Sequence, residues 1–215
     1  MKAIIFDMDG VLILSEEMHE FLFRNVLQQF GYTLTKQEYN TFFAGTRTRE
    51  GFENYFQVKK ISLSDIDNYI IVYRQQKNDI LQNHINEHIN LRKDTHDLLM
   101  NLASKYKLAL ATSSIRESTT HLVTSFDLKK YFQDIICAED VKKGKPHPEI
   151  FFKAAEKLGV SPQKCIVIED AENGILAAKN AGMKCVALYD ADRDLRAADY
   201  IVKDFSELKK LLYSI

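Results

Sequence analysis

A chain of 215 residues that is 46% hydrophobic and 11% aromatic has enough apolar material for a substantial core, as one large domain or one domain carrying an insertion. Its 29 basic and 30 acidic residues leave a net charge of -1, which excludes the basic footprint of a nucleic-acid or anionic-membrane binder. No run approaches the roughly 18 apolar residues of a membrane span, and the apolar stretch before Asp7 is too short for a signal-peptide core. Cys137, Cys165 and Cys185 have no zinc-site spacing, and their odd number speaks against a disulfide framework. Each sits in or beside an apolar run and reads as a small buried hydrophobe in a reducing, cytoplasmic setting.

The first element is a strand, Ala3 to Phe6, apolar on both faces. From Ser15 to about His88 no strand pattern follows, and the spacing is helical. Ser15 is placed to cap a helix with Glu16 and Glu17 in its first turn and Met18, Phe21, Leu22, Val26 and Phe30 along one face. Gly31 closes that helix. Another helix starts at Ser64, with Asp67 three residues on, and carries Ile66, Ile70, Tyr73 and Lys77.

Strand patterns return at Leu108 to Ala111, Ile135 to Ala138, Cys165 to Ile168, Lys184 to Leu188 and Tyr200 to Val202. Pro148 opens a helix over Glu149 to Leu158 that ends before Gly159, and Asn173 to Ala181 ends at Gly182. The alternation predicts an α/β fold, a doubly wound parallel sheet. Residues 1–14 and 86–215 form its core, and residues 15–85 form an inserted all-helical cap. An insertion just past the first strand's carboxyl end lies where open α/β sheets bind ligands, so it is placed to act as a lid.

Four stretches at predicted strand ends carry chemistry. In Phe6-Asp7-Met8-Asp9-Gly10, two carboxylates leave an apolar strand together and repel unless a divalent cation relieves one of them. Asp7 can then attack phosphorus, and Asp9 can serve as general acid and base. A plain acidic turn uses the same letters, as does a calcium loop. The calcium reading lacks oxygen ligands after Gly10, where Val11, Leu12, Ile13 and Leu14 follow. At the second stretch, Thr112 and Ser113 are candidates to hold a phosphoryl oxygen, although Ser113 or Ser114 could equally cap the next helix. Lys145, in Lys142-Lys143-Gly144-Lys145-Pro146, could neutralise charge on nucleophile and phosphoryl group, or lie in a solvated basic loop. Glu169 and Asp170 follow an apolar strand, where unpaired charge is costly. Mg2+ suits Asp7 and Asp170 with a backbone carbonyl from Asp9.

In order along the chain, FDMDGV, LALATSS, KKGKPHPEIF and IEDAENGILAAKNAGM resemble the four motifs of the haloacid dehalogenase-like superfamily, in its branch of phosphatases and phosphomutases related to beta-phosphoglucomutase. The resemblance spans nearly the whole chain. It implies Mg2+ bound by Asp7, the Asp9 carbonyl and Asp170, with Glu169 supporting it directly or through water, catalysis by Asp7, Asp9, Thr112 and Lys145, and a cap histidine, His19, that lies near the site or is a half-buried helix residue. An acid at Asp9 favours phosphate esters, because an alkoxide leaving group needs a proton. Arg47 and Arg49 fall in a stretch that resembles the family's substrate loop, where they would meet substrate charge or lie in solvent. Two departures from the nearest relatives are Leu14 before Ser15, where an acid is common, and Asn90 to Asp94, where a Pro-Gly turn is common. The expected activity is hydrolysis of a small phosphorylated metabolite, a sugar phosphate foremost, by a monomer with no nucleic-acid or membrane partner. A phosphomutase is the nearest alternative, and a non-catalytic binding or regulatory protein on this fold the alternative from another class.

Overall fold

Strand β1 (Ala3–Phe6) is wholly buried because both its faces are covered by helices. The computed structural model describes residues 1–215, the side chain of Asn86 excepted. After β1 come β2 (Ile13–Leu14), α1 (Glu16–Gln29), α2 (Lys36–Phe42), α3 (Thr48–Lys59), α4 (Ile66–Asn83), α5 (Ile85–His88) and β3 (Asn90–Leu91). The chain continues through α6 (Thr95–Ala103), β4 (Lys107–Ala111), α7 (Arg116–Ser125), β5 (Asp134–Ile136) and α8 (Glu149–Leu158). It ends with β6 (Cys165–Glu169), α9 (Glu172–Asn180), β7 (Lys184–Leu188), β8 (Tyr200–Val202) and α10 (Phe205–Ser214).

Six strands form one parallel sheet in the order β5-β4-β1-β6-β7-β8. Successive side chains alternate between its faces. Ile4, Phe6, Leu110 and Ile168 therefore pack under α6, α7 and α10, while Ile5, Ala109, Ala111 and Val167 pack under α8 and α9. Each fully buried aliphatic or aromatic side chain contributes about 1.5–3 kcal/mol, which makes this double-sided strand set the firmest part of the fold. All three cysteines are free and buried. No helix among the described residues is long and apolar enough to cross a membrane.

All helices of the insertion lie between β2 and β3, which pair antiparallel through Ile13–Leu91 and Leu14–Asn90. This short ribbon joins the two chain crossings, and its two residues per strand carry too little periodicity to show in the sequence. An aromatic cluster holds the insertion together: the Phe23 ring lies 4.3 Å from Phe43, 4.4 Å from Tyr73 and 5.4 Å from Phe52. The buried stripe of α1 runs through Met18, Leu22, Phe23, Val26 and Leu27, whereas the expected Phe21 is 52% exposed and Phe30 37% exposed. Between residues 36 and 59 the helical pattern divides into two helices, α2 and α3. The second of the expected helices begins at Ile66 rather than Ser64, with no side-chain cap bond.

Candidate active site

The order of strands reverses about β1, whose neighbours β4 and β6 connect in opposite directions, and that leaves a crevice at their carboxyl ends. Phe6 pairs in register with Leu110 on one side and Ile168 on the other. The residues just beyond, Asp7, Thr112 and Glu169–Asp170, therefore reach the same edge. The loop after β5 brings Lys145 to them, and its Nζ lies 2.5 Å from Asp7 Oδ1 and 2.6 Å from Glu169 Oε1. Lys145 is 1% exposed and both partners are buried, so this is a charge network inside the protein.

Two glycines make room for the acids. Gly10 has φ +78°, and a Cβ there would overlap the Asp170 carboxylate. A Cβ on Gly174 would overlap both carboxylate oxygens of Glu169. Gly174→Ala is expected to destabilise the protein by about 3 kcal/mol, the upper range for overpacking, because Glu169 is pinned by Lys145 and cannot retreat. Denaturant unfolding measures this; an unchanged midpoint would refute the tight packing.

One carboxylate oxygen from each of Asp7, Glu169 and Asp170 lies within 4.8 Å of the other two, a buried all-oxygen set suited to Mg2+. Burial pushes the Asp7 carboxyl well above its ordinary value. Lys145 opposes this, but Glu169, Asp170 and Asp9 add to it. Burial likewise raises Asp170 against the pull of Arg193. Lys145 is held above the ordinary lysine value because Asp7 and Glu169 outweigh its desolvation.

Folding thus favours the protonated acids at Asp7 and Asp170. Their contribution to stability is complete below the unfolded carboxyl value near ~4 and is lost as pH rises through the raised folded values. Protons and a divalent cation compete for the same oxygens, so Mg2+ should raise Tm more at about pH 8 than at about pH 5. Thermal scans with Mg2+ and with chelator check this; equal shifts at both values would contradict it.

Asp9 has the opposite character. Its Oδ1 accepts from Ser15 Oγ at 2.5 Å and lies 3.4 Å from His19 Nε2, and its Oδ2 accepts from Ser114 Oγ at 2.9 Å. Thr112 Oγ1 lies 3.4 Å from Oδ2. Burial pushes the Asp9 carboxyl up, but the hydrogen bond and charge of His19, with Lys77 and Ser15, outweigh it and hold the group well below the carboxylate range. His19 Nδ1 is in turn 2.5 Å from Tyr73 Oη. Ser15 and Ser114 therefore serve Asp9 and make no helix-capping bond, because a half-buried carboxylate largely out of water needs donors.

A cavity of about 130 Å³ lies over these groups, lined among others by Asp7, Asp9, His19, Thr112, Ser113 and Lys77. The insertion lines this space with the rings of Phe23, Phe43 and Tyr73 and with polar groups that include Glu16, Arg74 and Asn78. Ser113 Oγ donates to the Gly45 carbonyl at 2.9 Å, which ties the core to the segment before α3. Arg47 and Arg49, expected at the substrate, do not line the cavity. The Arg47 guanidinium donates to the carbonyls of Ala138, Val141 and Lys142, where it clasps the loop that leads to Lys145. Arg49 is exposed and pairs with Asp67 and Glu53 on its own domain's surface. Arg49 thus takes the solvent alternative, whereas the carbonyls that hold Arg47 lie 91 to 95 residues along the chain and leave no local signal.

Ser15, Tyr73, Lys77 and Ser114 surround the site but were not singled out for it. Lys77 did carry a signal, a charge on the apolar stripe of α4, and burial pushes its ammonium below the ordinary lysine value against Asp9 and Glu16.

A family model described as haloacid dehalogenase-like hydrolase matches residues 4–188. The phosphorylated carbohydrates phosphatase of Thermotoga maritima is 33% identical over 184 residues, which cover 86% of this chain and 83% of the relative. The beta-phosphoglucomutase of Bacillus subtilis is 29% identical over 212 residues, 97% of this chain and 92% of that one. The crystal structure of CbbY from Rhodobacter sphaeroides in complex with phosphate superposes with a TM-score of 0.81 at 25% identity, over 96% of each chain.

Proposed function

The chain belongs to the haloacid dehalogenase-like hydrolase family and is a phosphoric monoester hydrolase, and from there we propose that it is a Mg2+-dependent phosphatase of small phosphorylated carbohydrates acting through an aspartyl-phosphate at Asp7. The observation that carries this reading is the convergence of Asp7, Lys145, Glu169 and Asp170 beside a separately held Asp9. Asp7, Glu169 and Asp170 would hold the cation, which supplies charge neutralisation for the phosphoryl oxygens.

In this reading an Asp7 oxygen attacks phosphorus in line with the departing alkoxide, and Lys145 steadies charge on nucleophile and phosphoryl group. Asp9 gives the leaving oxygen its proton, and then takes one from the water that cleaves the acyl phosphate. The donors around Asp9 favour its ionised form, which suits the second half-reaction. Substrate charge close to Asp9 would raise its proton affinity for the first. Thr112 and Ser113 would hold phosphoryl oxygens, His19 would orient Asp9, and the helical insertion over residues 15–85 would act as a cap that excludes water.

A panel of phosphate esters assayed with and without Mg2+ tests the reading. Absence of cation-dependent phosphate release from every ester would overturn it in favour of a binding protein. Similarity to the Bacillus subtilis mutase over 97% of the chain supports a second reading, return of the phosphoryl group to a sugar hydroxyl. Conversion of a hexose 1-phosphate to its 6-phosphate, without free phosphate, would select it.

A further inference from the structure

Arg193 lies in the turn after β7, outside all four motif stretches, within a run of charges that reads as solvated loop. Its side chain is nevertheless 5% exposed. The Nη1 group donates both to the Asp170 carboxylate Oδ2 and to the Asp170 carbonyl, the latter at 3.2 Å. Nη2 donates to Glu16 Oε2 at 2.6 Å, and Asp190 Oδ2 lies 3.3 Å from Nε. Glu16 Oε2 also accepts from Tyr39 of α2 at 2.7 Å. Among the described residues, Arg193 makes the only hydrogen bond to the Asp170 side chain.

Building on the proposed cation site, we infer that Arg193 is a positioning residue that sets the orientation of Asp170 for the metal and links that ligand to the helical insertion through Glu16. A rigid guanidinium whose Nη1 donates to both the carbonyl and the carboxylate of Asp170, while Nη2 is held by Glu16, fixes the Asp170 rotamer. With Oδ2 taken by Arg193 and Gly10 packed against the carboxylate, Oδ1 is the oxygen left for a cation. A bare guanidinium beside a divalent cation would be repulsive. Glu16 and Asp190 cancel that charge, so the net action of the arginine is orientation. Glu16 opens α1 two residues after the β2–β3 ribbon, so a change in the pose of the insertion reaches Asp170 through one ion pair. Outer-sphere partners of this kind are typically worth about 10–100-fold in metal affinity.

Calorimetric titration of the full chain with MgCl2, with folding verified by circular dichroism, tests the inference. Arg193→Met is expected to weaken Mg2+ binding by about 10–100-fold. Arg193→Lys, which keeps charge without the fork, should weaken it as well. Glu16→Gln, which touches neither cation nor Asp170 and leaves the guanidinium charge only partly compensated by Asp190, should give a smaller fall in the same direction. The Mg2+ concentration for half-maximal turnover should rise in parallel, with kcat recovering at saturating cation, a pattern that general loosening of the fold would not give. Should Arg193→Met fail to fold, the Lys and Gln variants decide alone. Parent-like Mg2+ affinity in the folded variants overturns the role of Arg193, whereas a parent protein that binds no Mg2+ overturns the proposed cation site itself.

Discussion

Replacing Asp7 with asparagine is expected to lower Mg2+-dependent phosphate release on the order of 10⁴-fold or more, the scale seen when a nucleophile is removed from a cooperating set. Uncatalysed phosphate-monoester hydrolysis is so slow that no neighbouring group can substitute for the lost carboxylate. Asn keeps the shape and the hydrogen-bonding capacity of the side chain, so Lys145 retains Glu169 as its ionic partner. Because Asp7 is crowded by burial, Glu169 and Asp170, neutralising it also removes repulsion. The variant should therefore unfold at the parent temperature or above it in chelator. Assays at saturating ester, beside thermal scans, separate the two effects. Parent-level turnover would remove Asp7 from the nucleophile's place and with it the aspartyl-phosphate.

Lys145→Met should fail twice, in stability and in turnover. Met preserves most of the stem and its packing, so the change isolates the charge. Without the ammonium, Asp7 and Glu169 lose the cation 2.5 and 2.6 Å away, and Asp170 crowds them from within 4.8 Å. Removing one partner from a buried ion pair costs about 3–5 kcal/mol, since the remaining charge has neither water nor a counterion. The loss should shrink when Mg2+ is present, because a divalent cation supplies the same compensation at the same oxygens. Urea unfolding with and without Mg2+ measures both quantities. A variant as stable as the parent in chelator would mean that the acids do not depend on Lys145, and the electrostatic account of the site would fall. Turnover should drop by at least about 10²–10³-fold, the cost of losing one preorganised charge-stabilising donor.

Much of the core was legible because its signals are local. Short both-face apolar runs such as Ala3–Phe6 and Cys165–Ile168 read as buried strands, and the start signal Pro148 and stop signals Gly159 and Gly182 sit beside the helix ends they predict. Parallel strands share a direction, so acids at their carboxyl ends must meet at one edge. That geometric necessity brought Asp7, Lys145, Glu169 and Asp170 within reach of prediction although they are far apart in the chain. The insertion was less legible. Its α1 stripe slipped from Phe21 to Phe23, because which face of a helix is buried depends on the aromatic rings brought by α2, α3 and α4.

By itself, then, the sequence determined the parallel sheet, the helical insertion after β1 and the set of acids and lysine that the strand ends carry. Only the tertiary structure decided which donors serve them. Ser15 and Ser114 carry local cap signals yet turn to Asp9, and Arg47 turns from the cavity to three loop carbonyls. Arg193, from an apparently solvated turn, ends between Glu16 and Asp170. The physical reason is the same in each case: a polar group taken out of water must find partners wherever the fold supplies them, and sequence distance places no limit on where that is.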